Sequence, residues 1–156
     1  MMQAQNIRTA LRGKPKITAS TTYETFRAAC PELAAFDKGA VTVGRFATQG
    51  PWEFHPDGDE LLHVLDGQIE VILLTDDEPV HVFVRAGSIF IVPARVWHRQ
   101  VPRPLATLLS ALPTQHGPTS WAEDPRGKTS KTPASPRSKL LRPNKALERS
   151  PRPPGH

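Results

Sequence analysis

From about Ala40 the chain alternates apolar and polar residues in short runs broken by turn residues, a period of two that predicts strands. Ala40–Ala47 (AVTVGRFA) carries Val41 and Val43 on one face, and Trp52–His55 is short. Glu60–Leu65 (ELLHVL) runs into Asp66-Gly67, a strong hairpin signal, and Gln68–Leu74 (QIEVILL) follows. Asp76-Asp77-Glu78-Pro79 turns into Pro79–Val84, and Ala86-Gly87 turns into Ser88–Val92. Pro93–Arg95 then breaks the run before Trp97–Val101 and Leu105–Leu112. Seven or eight short strands at this spacing, with almost no helix among them, predict an all-β sandwich or barrel.

The flanks read differently. Residues 1–22 show no sustained periodicity and read as a loose arm that ends in an edge strand. Phe26, Ala29, Cys30, Leu33 and Ala34 fall at helical spacing and predict a helix from Tyr23 to Ala35, interrupted by Pro31. Residues 114–125 keep one aromatic, Trp121, placed to pack across the barrel. Beyond Arg126 the chain is Pro, Ser, Lys and Arg with few large apolar residues, too little to offset its ordering entropy, so residues 126–156 are expected to be a disordered tail. The expected organisation is an arm over 1–22, a barrel domain with its preceding helix over 23–125, and that tail.

Charge follows the same division. Residues 126–156 hold nine Lys or Arg against the single acid Glu148, whereas residues 1–125 hold eleven basic and fourteen acidic residues. The basic balance is a property of the tail, and no aromatic is interleaved there for base stacking, so nucleic acid is not an expected partner. A solvated extension is the expected reading of the tail. The one cysteine, Cys30, excludes an internal disulfide and reads as a structural thiol. No apolar run has transmembrane length and no export signal is evident, so a cytoplasmic location without membrane contact is expected.

Two stretches carry chemistry. Glu53 and His55, two apart, share one face of a strand, and Glu60 follows His55 by five residues beyond a Pro56/Gly58 turn. His98 arrives from a distant strand. Two imidazoles and two carboxylates would make a formally neutral site around a divalent ion. The competing reading makes these histidines hydrogen-bonded residues of the barrel interior, with Glu53 paired to an arginine. His63 and His81 are expected to be structural. Asp57 and Asp59 are expected to be turn acids. Arg95 and Arg99 bracket His98, placed either to bind a substrate carboxylate or phosphate, or to pair with Asp57, Asp59 or Glu53.

Both stretches together resemble the motifs of the cupin superfamily. Glu53-Phe54-His55, four residues, Glu60, six residues and Gly67 match the first motif, with Glu53 in place of its first His. Gly87, five residues, Pro93-Ala94-Arg95, two residues and His98 match the second, with Arg95 in place of Gly and Pro102 in place of Asn. The resemblance spans roughly Gly39 to Pro113 and is to small single-domain bacterial members of the RmlC-like jelly-roll type. It implies an all-β double-stranded β-helix, a jelly-roll β-barrel, with a short N-terminal helix. It implies Glu53, His55, Glu60 and His98 as ligands of a divalent metal ion, Mn, Fe, Zn or Ni. It also implies a small-molecule ligand or substrate and a homodimer paired through an edge strand. Cupins include isomerases, dioxygenases, sensor modules and storage proteins, so an enzyme and a non-catalytic small-molecule or metal-binding module are both open. A metal-free epimerase would need a His–Asp pair that the sequence does not present.

Overall fold

The computed structural model describes residues 4–113 and 117–127. The expected disordered tail lies, from residue 128 on, outside the described residues. The described chain forms two short helices and eight strands, gathered into one antiparallel sheet that curls around an apolar core.

The helix α2 spans Tyr23–Ala29 rather than running to Ala35. Thr22 and Thr25 form a reciprocal capping box at its start. Its end is dictated by Pro31, which disfavours helical dihedrals at the preceding residue, and Cys30 sits at φ −114°, ψ 75°. Residues 32–35, expected in that helix, instead belong to strand β1, Glu32–Phe36, paired with β2, Gly39–Phe46. The arm before α2 holds a single-turn helix, α1 (Ile7–Ala10), and is fastened rather than loose. Ile17 is fully buried and bridges Phe46 in parallel, while the Arg45 guanidinium donates to the Leu11 and Lys14 carbonyls.

The hairpin expected at Asp66-Gly67 is not formed. Glu60–Leu74 is one fifteen-residue strand, β4, following the two-residue β3 at Trp52–Glu53. A type I′ turn needs positive φ at both central residues, and only Gly67 has it, at 76°. The register shifts at Val64/Asp66 and Gly67/Ile69 make this point a bend within the strand. Gly67 is required there: a Cβ would lie 2.0 Å from the Leu105 carbonyl oxygen. The reversal comes later, at Thr75–Pro79, where the chain returns as β5 (Val80–Arg85) and β6 (Ile89–Val92), which pair with the two halves of β4 in turn. The expected strands Trp97–Val101 and Leu105–Leu112 likewise fuse into the seventeen-residue β7, Trp97–Pro113, paired with β4 along its length. Arg103-Pro104-Leu105 loops out opposite Gln68, since proline has no N–H to give the ladder.

The core is the inner face of this curl: Leu62, Val64, Ile69, Val71 and Leu73 from β4, Val84 and Val92 from its partners, Ala106 and Leu108 from β7. The last strand, β8 (Thr119–Ser120), pairs β3 and brings residues 117–127 across one end. No helix among the described residues is long and apolar enough to cross a membrane.

Candidate metal centre

All four candidate ligands reach one point. Glu53 and His98 are direct cross-strand partners on β3 and β7, Glu60 opens β4, and His55 lies just after β3. The His55 carbonyl accepts from the Arg95 amide, which ties the two motif loops together. One ligand atom from each residue lies within 4.8 Å of the others. His55, Glu60 and His98 are buried, and Glu53 is 13 % exposed.

Hydrogen bonding fixes how these groups face one another. The His98 Nδ1–H donates to the Val96 carbonyl at 3.0 Å, which turns Nε2 toward Glu60 Oε2 at 2.9 Å. That pairing favours the protonated ring. Burial works against the charge on His98, but the Glu60 hydrogen bond and the two carboxylates outweigh it and raise its pKa. Burial likewise works against the Glu60 carboxylate, and the two imidazoles hold it down to about 2. Glu53 goes the other way: burial and the Glu60 charge push it up to about 7, against the pull of His98 and His55. The pair therefore shares its burden unequally, with Glu60 ionised and Glu53 holding its proton near neutral pH.

His55 tests whether these residues suit a metal. Its Nε2 is 3.3 Å from Glu60 Oε2 and 4.0 Å from Glu53 Oε2, yet neither ring nitrogen makes a hydrogen bond. A buried imidazole without a partner is costly. A divalent ion with bonds of about 2.1 Å sets its ligands about 3 Å apart when adjacent and about 4 Å apart when opposite. The four carboxylate–imidazole separations, 2.9, 3.3, 3.8 and 4.0 Å, fall in that range. The donor set fits the ion.

The cluster opens on a cavity of about 200 Å³ between α2, β2, β7 and residues 117–121. Phe26, Phe46, Leu108 and Trp121 give it apolar walls, and Thr42, Gln100 and Ser110 add polar groups. Gln100 is buried beside Glu53 and was missed in the sequence, although it lies two residues past His98 and so on the same strand face. Cys30 also lines the cavity, and burial pushes its thiol up to about 12, which leaves it protonated.

The other expectations resolve as follows. His81 Nδ1 lies 2.6 Å from Glu70 Oε1, and His63 is half-buried on β4; neither lines the cavity. Asp59 accepts from the Ala94 amide in its turn, and Asp57 is exposed. Arg95 is exposed at φ 64° and its Nε donates to the Pro56 carbonyl. Arg99 lies over the Trp52 ring, 3.8 Å from its centroid. Neither arginine lines the cavity, and among the described residues neither forms an ion pair with Asp57 or Glu53. Trp97 packs against Phe54. His116 lies outside the described residues.

Comparison with known proteins agrees with this fold. The cupin domain family matches residues 41–101. No curated protein is a significant sequence match. Among solved structures, a protein of Neisseria meningitidis is 15 % identical over 72 % of this chain and all of its own, with a TM-score of 0.55. A hydroquinone 1,2-dioxygenase, solved with Cd2+ and 4-hydroxybenzonitrile, is 20 % identical over 74 % of each chain, with a TM-score of 0.54. A cupin-2 domain protein of Shewanella frigidimarina is 18 % identical over 54 % of this chain and 78 % of its own, with a TM-score of 0.46.

Proposed function

The chain belongs to the cupin superfamily, and from that premise we propose that Glu53, His55, Glu60 and His98 hold one divalent metal ion at the floor of the cavity, where a small oxygen-bearing molecule binds. The observation that carries this reading is the buried His55 ring, without a hydrogen bond at either nitrogen and facing two carboxylates and a second imidazole. A nitrogen and oxygen set of this kind suits Mn, Fe, Zn or Ni. When bound, the ion would supply a Lewis acid for an oxygen of the ligand or of water.

The residues divide the work. His98 is oriented by its Nδ1 bond to Val96, so that Nε2 is the free donor once the proton shared with Glu60 leaves. Glu53, protonated near neutral pH, gives up its proton as the cation arrives. Phe26, Phe46 and Trp121 give the remaining volume apolar walls, and Thr42 and Ser110 offer hydroxyls to a polar ligand. A volume of about 200 Å³ admits a molecule of metabolite size. Turnover of that molecule, as an isomerase or as a dioxygenase like the structural neighbour, and simple binding both use this arrangement. A single cysteine supports a cytoplasmic location.

Metal analysis of the purified protein tests the reading. A stoichiometric transition metal that disappears in His98→Ala and in Glu60→Ala is the expected result. A protein that takes up none of Mn2+, Fe2+, Zn2+ or Ni2+ ends it.

A second copy of the chain is the other proposed partner, docked on the outer face of the sheet. Ile91, Leu61, Ala111, Val41 and Ala34 form one cross-strand row, apolar from β6 to β1. Phe36 is 65 % exposed, Ile89 60 % and Ile91 43 %. A sheet face left to water is ordinarily polar, and a flat apolar one is self-complementary about a two-fold axis.

A further inference from the structure

Of the four candidate ligands, Glu53 has the weakest footing. Glu60 belongs to a fifteen-residue strand paired on both sides, and its carboxylate lies 2.9 and 3.3 Å from the imidazoles. Glu53 belongs to a strand of two residues, and its carboxylate stands off at 3.8 and 4.0 Å. Backbone pairing over two residues is a slight restraint on its position.

The reverse side of the strand pair carries a second set of contacts. Since Glu53 pairs with His98 in antiparallel register, Trp52 stands opposite Arg99, and successive side chains alternate faces. The Arg99 guanidinium lies flat enough on the Trp52 indole for its carbon to be 3.8 Å from the ring centroid, and Trp52 is only 3 % exposed. The indole N–H donates to the Glu123 carbonyl at 3.3 Å, and Arg99 Nη2 approaches the same oxygen at 3.5 Å. That carbonyl belongs to a segment fixed at its far end, where Arg126 donates to the Thr75 carbonyl just beyond β4. The stack thus joins β3, β7 and the 117–127 segment at one point. Arg99 accepts a cost in doing so, because its Nε is buried without a hydrogen-bond partner.

We infer that the Arg99–Trp52 stack, backed by the Glu123 carbonyl, is a positioning device for Glu53: it clamps β3 to β7 from behind and so holds the second carboxylate in the cluster. Arg99 is a positioning residue, acting through Glu53 and touching neither the cavity nor the cluster. The inference rests on the reading of Glu53 as a metal ligand, and its test separates the two.

Hydrogen exchange on the metal-free protein addresses the clamp alone. The Gly50 amide, bonded to the Gln100 carbonyl, and the Arg95 amide, bonded to the His55 carbonyl, bracket the β3–β7 contact. Arg99→Ala is expected to speed exchange at both by at least about tenfold and to leave the β4–β7 ladder unchanged, while Arg99→Lys, which keeps a cation on the indole, recovers part of the protection. Zn2+ affinity then tests the route through Glu53. Arg99→Ala and Glu53→Gln should each weaken Zn2+ binding by about tenfold, and the double variant should lose little more than either alone. Losses that multiply, or unchanged exchange at Gly50 and Arg95, would overturn the inference. Wild-type protein that binds no Zn2+ removes the metal reading, and the exchange data still decide the clamp. If Arg99→Ala does not fold, Trp52→Phe decides in the same assay: it keeps the ring, loses the bond to Glu123, and should loosen the Gly50 amide.

Discussion

Replacing Glu53 by Gln should make the metal-free protein more stable and the metal-loaded protein weaker. The Glu53 carboxyl goes from an ordinary 4.5 to about 7 in the fold, through burial first and the Glu60 charge second. Between those two values the unfolded chain has lost a proton that the folded chain keeps, so stability from this group falls as pH rises from about 4.5 to 7 and then levels. With the side chain only 13 % exposed, solvent screening is slight. A shift of this size corresponds to on the order of 2–3 kcal/mol at pH 8 and under about 1 kcal/mol at pH 5. Gln has the same shape and no charge to desolvate. Urea denaturation of chelator-treated wild type and Glu53→Gln at pH 5 and pH 8 should show the variant ahead by about 2 kcal/mol at pH 8 and by much less at pH 5. Saturating Zn2+ should reverse the order, because the wild type gains more from a ligand that binds only the fold. A variant that is less stable than wild type at pH 8 without metal would refute the argument, since Glu53 would then be held by favourable contacts.

Three further outcomes follow from single contacts. Cys30, raised from 9.0 to about 12 chiefly by burial, should be alkylated by iodoacetamide at pH 8 roughly 10³-fold more slowly in the native protein than in urea, and rates within tenfold would contradict its placement. Arg95 holds a left-handed φ of 64° where glycine costs nothing, so Arg95→Gly should be neutral to about 1 kcal/mol stabilising in urea melts despite losing the Arg95–Pro56 bond, and a clear destabilisation would refute this. Sedimentation equilibrium at micromolar concentration should give a dimer for wild type and a monomer of unchanged circular dichroism for Ile91→Asp; a monomeric wild type removes the outer-face reading.

Alternation announced the all-β fold, but it did not determine which strands were neighbours. A two-residue hairpin at Asp66-Gly67 would set Val64 beside Ile69 and Leu62 beside Val71, keeping Leu62, Val64, Ile69, Val71 and Leu73 on one face. The single bent strand keeps them there too, with Leu62, Val64, Ile69, Val71 and Leu73 all fully buried. The two arrangements are equivalent in pattern. What separates them is β7, which pairs with both halves of β4 and has no other partner of that length. The helix was misread for a related reason: Leu33 and Ala34 extend its apolar spacing, but Pro31 imposes a break that spacing alone does not weigh, and β2 offers the residues beyond it a partner.

The four clustered side chains were legible because strand parity and motif spacing both bring them together, whereas the arginines were misjudged because closeness in sequence was allowed to stand for closeness in space. Arg99 adjoins His98, and that closeness suggests either a place in the cavity or a pairing with Asp57, Asp59 or Glu53. On a strand the adjacent residue faces the other way, so parity alone sends Arg99 to the reverse side of β7 and brings Gln100 to the inner one. The same parity sets Trp52 behind Glu53. The side chain that completes the inner wall and the pair that braces the outer one were therefore both written in the sequence. Neither carries a chemical signature as distinctive as a histidine or a buried carboxylate, because an amide, an indole and a guanidinium acquire their roles here only from the strand that stands opposite.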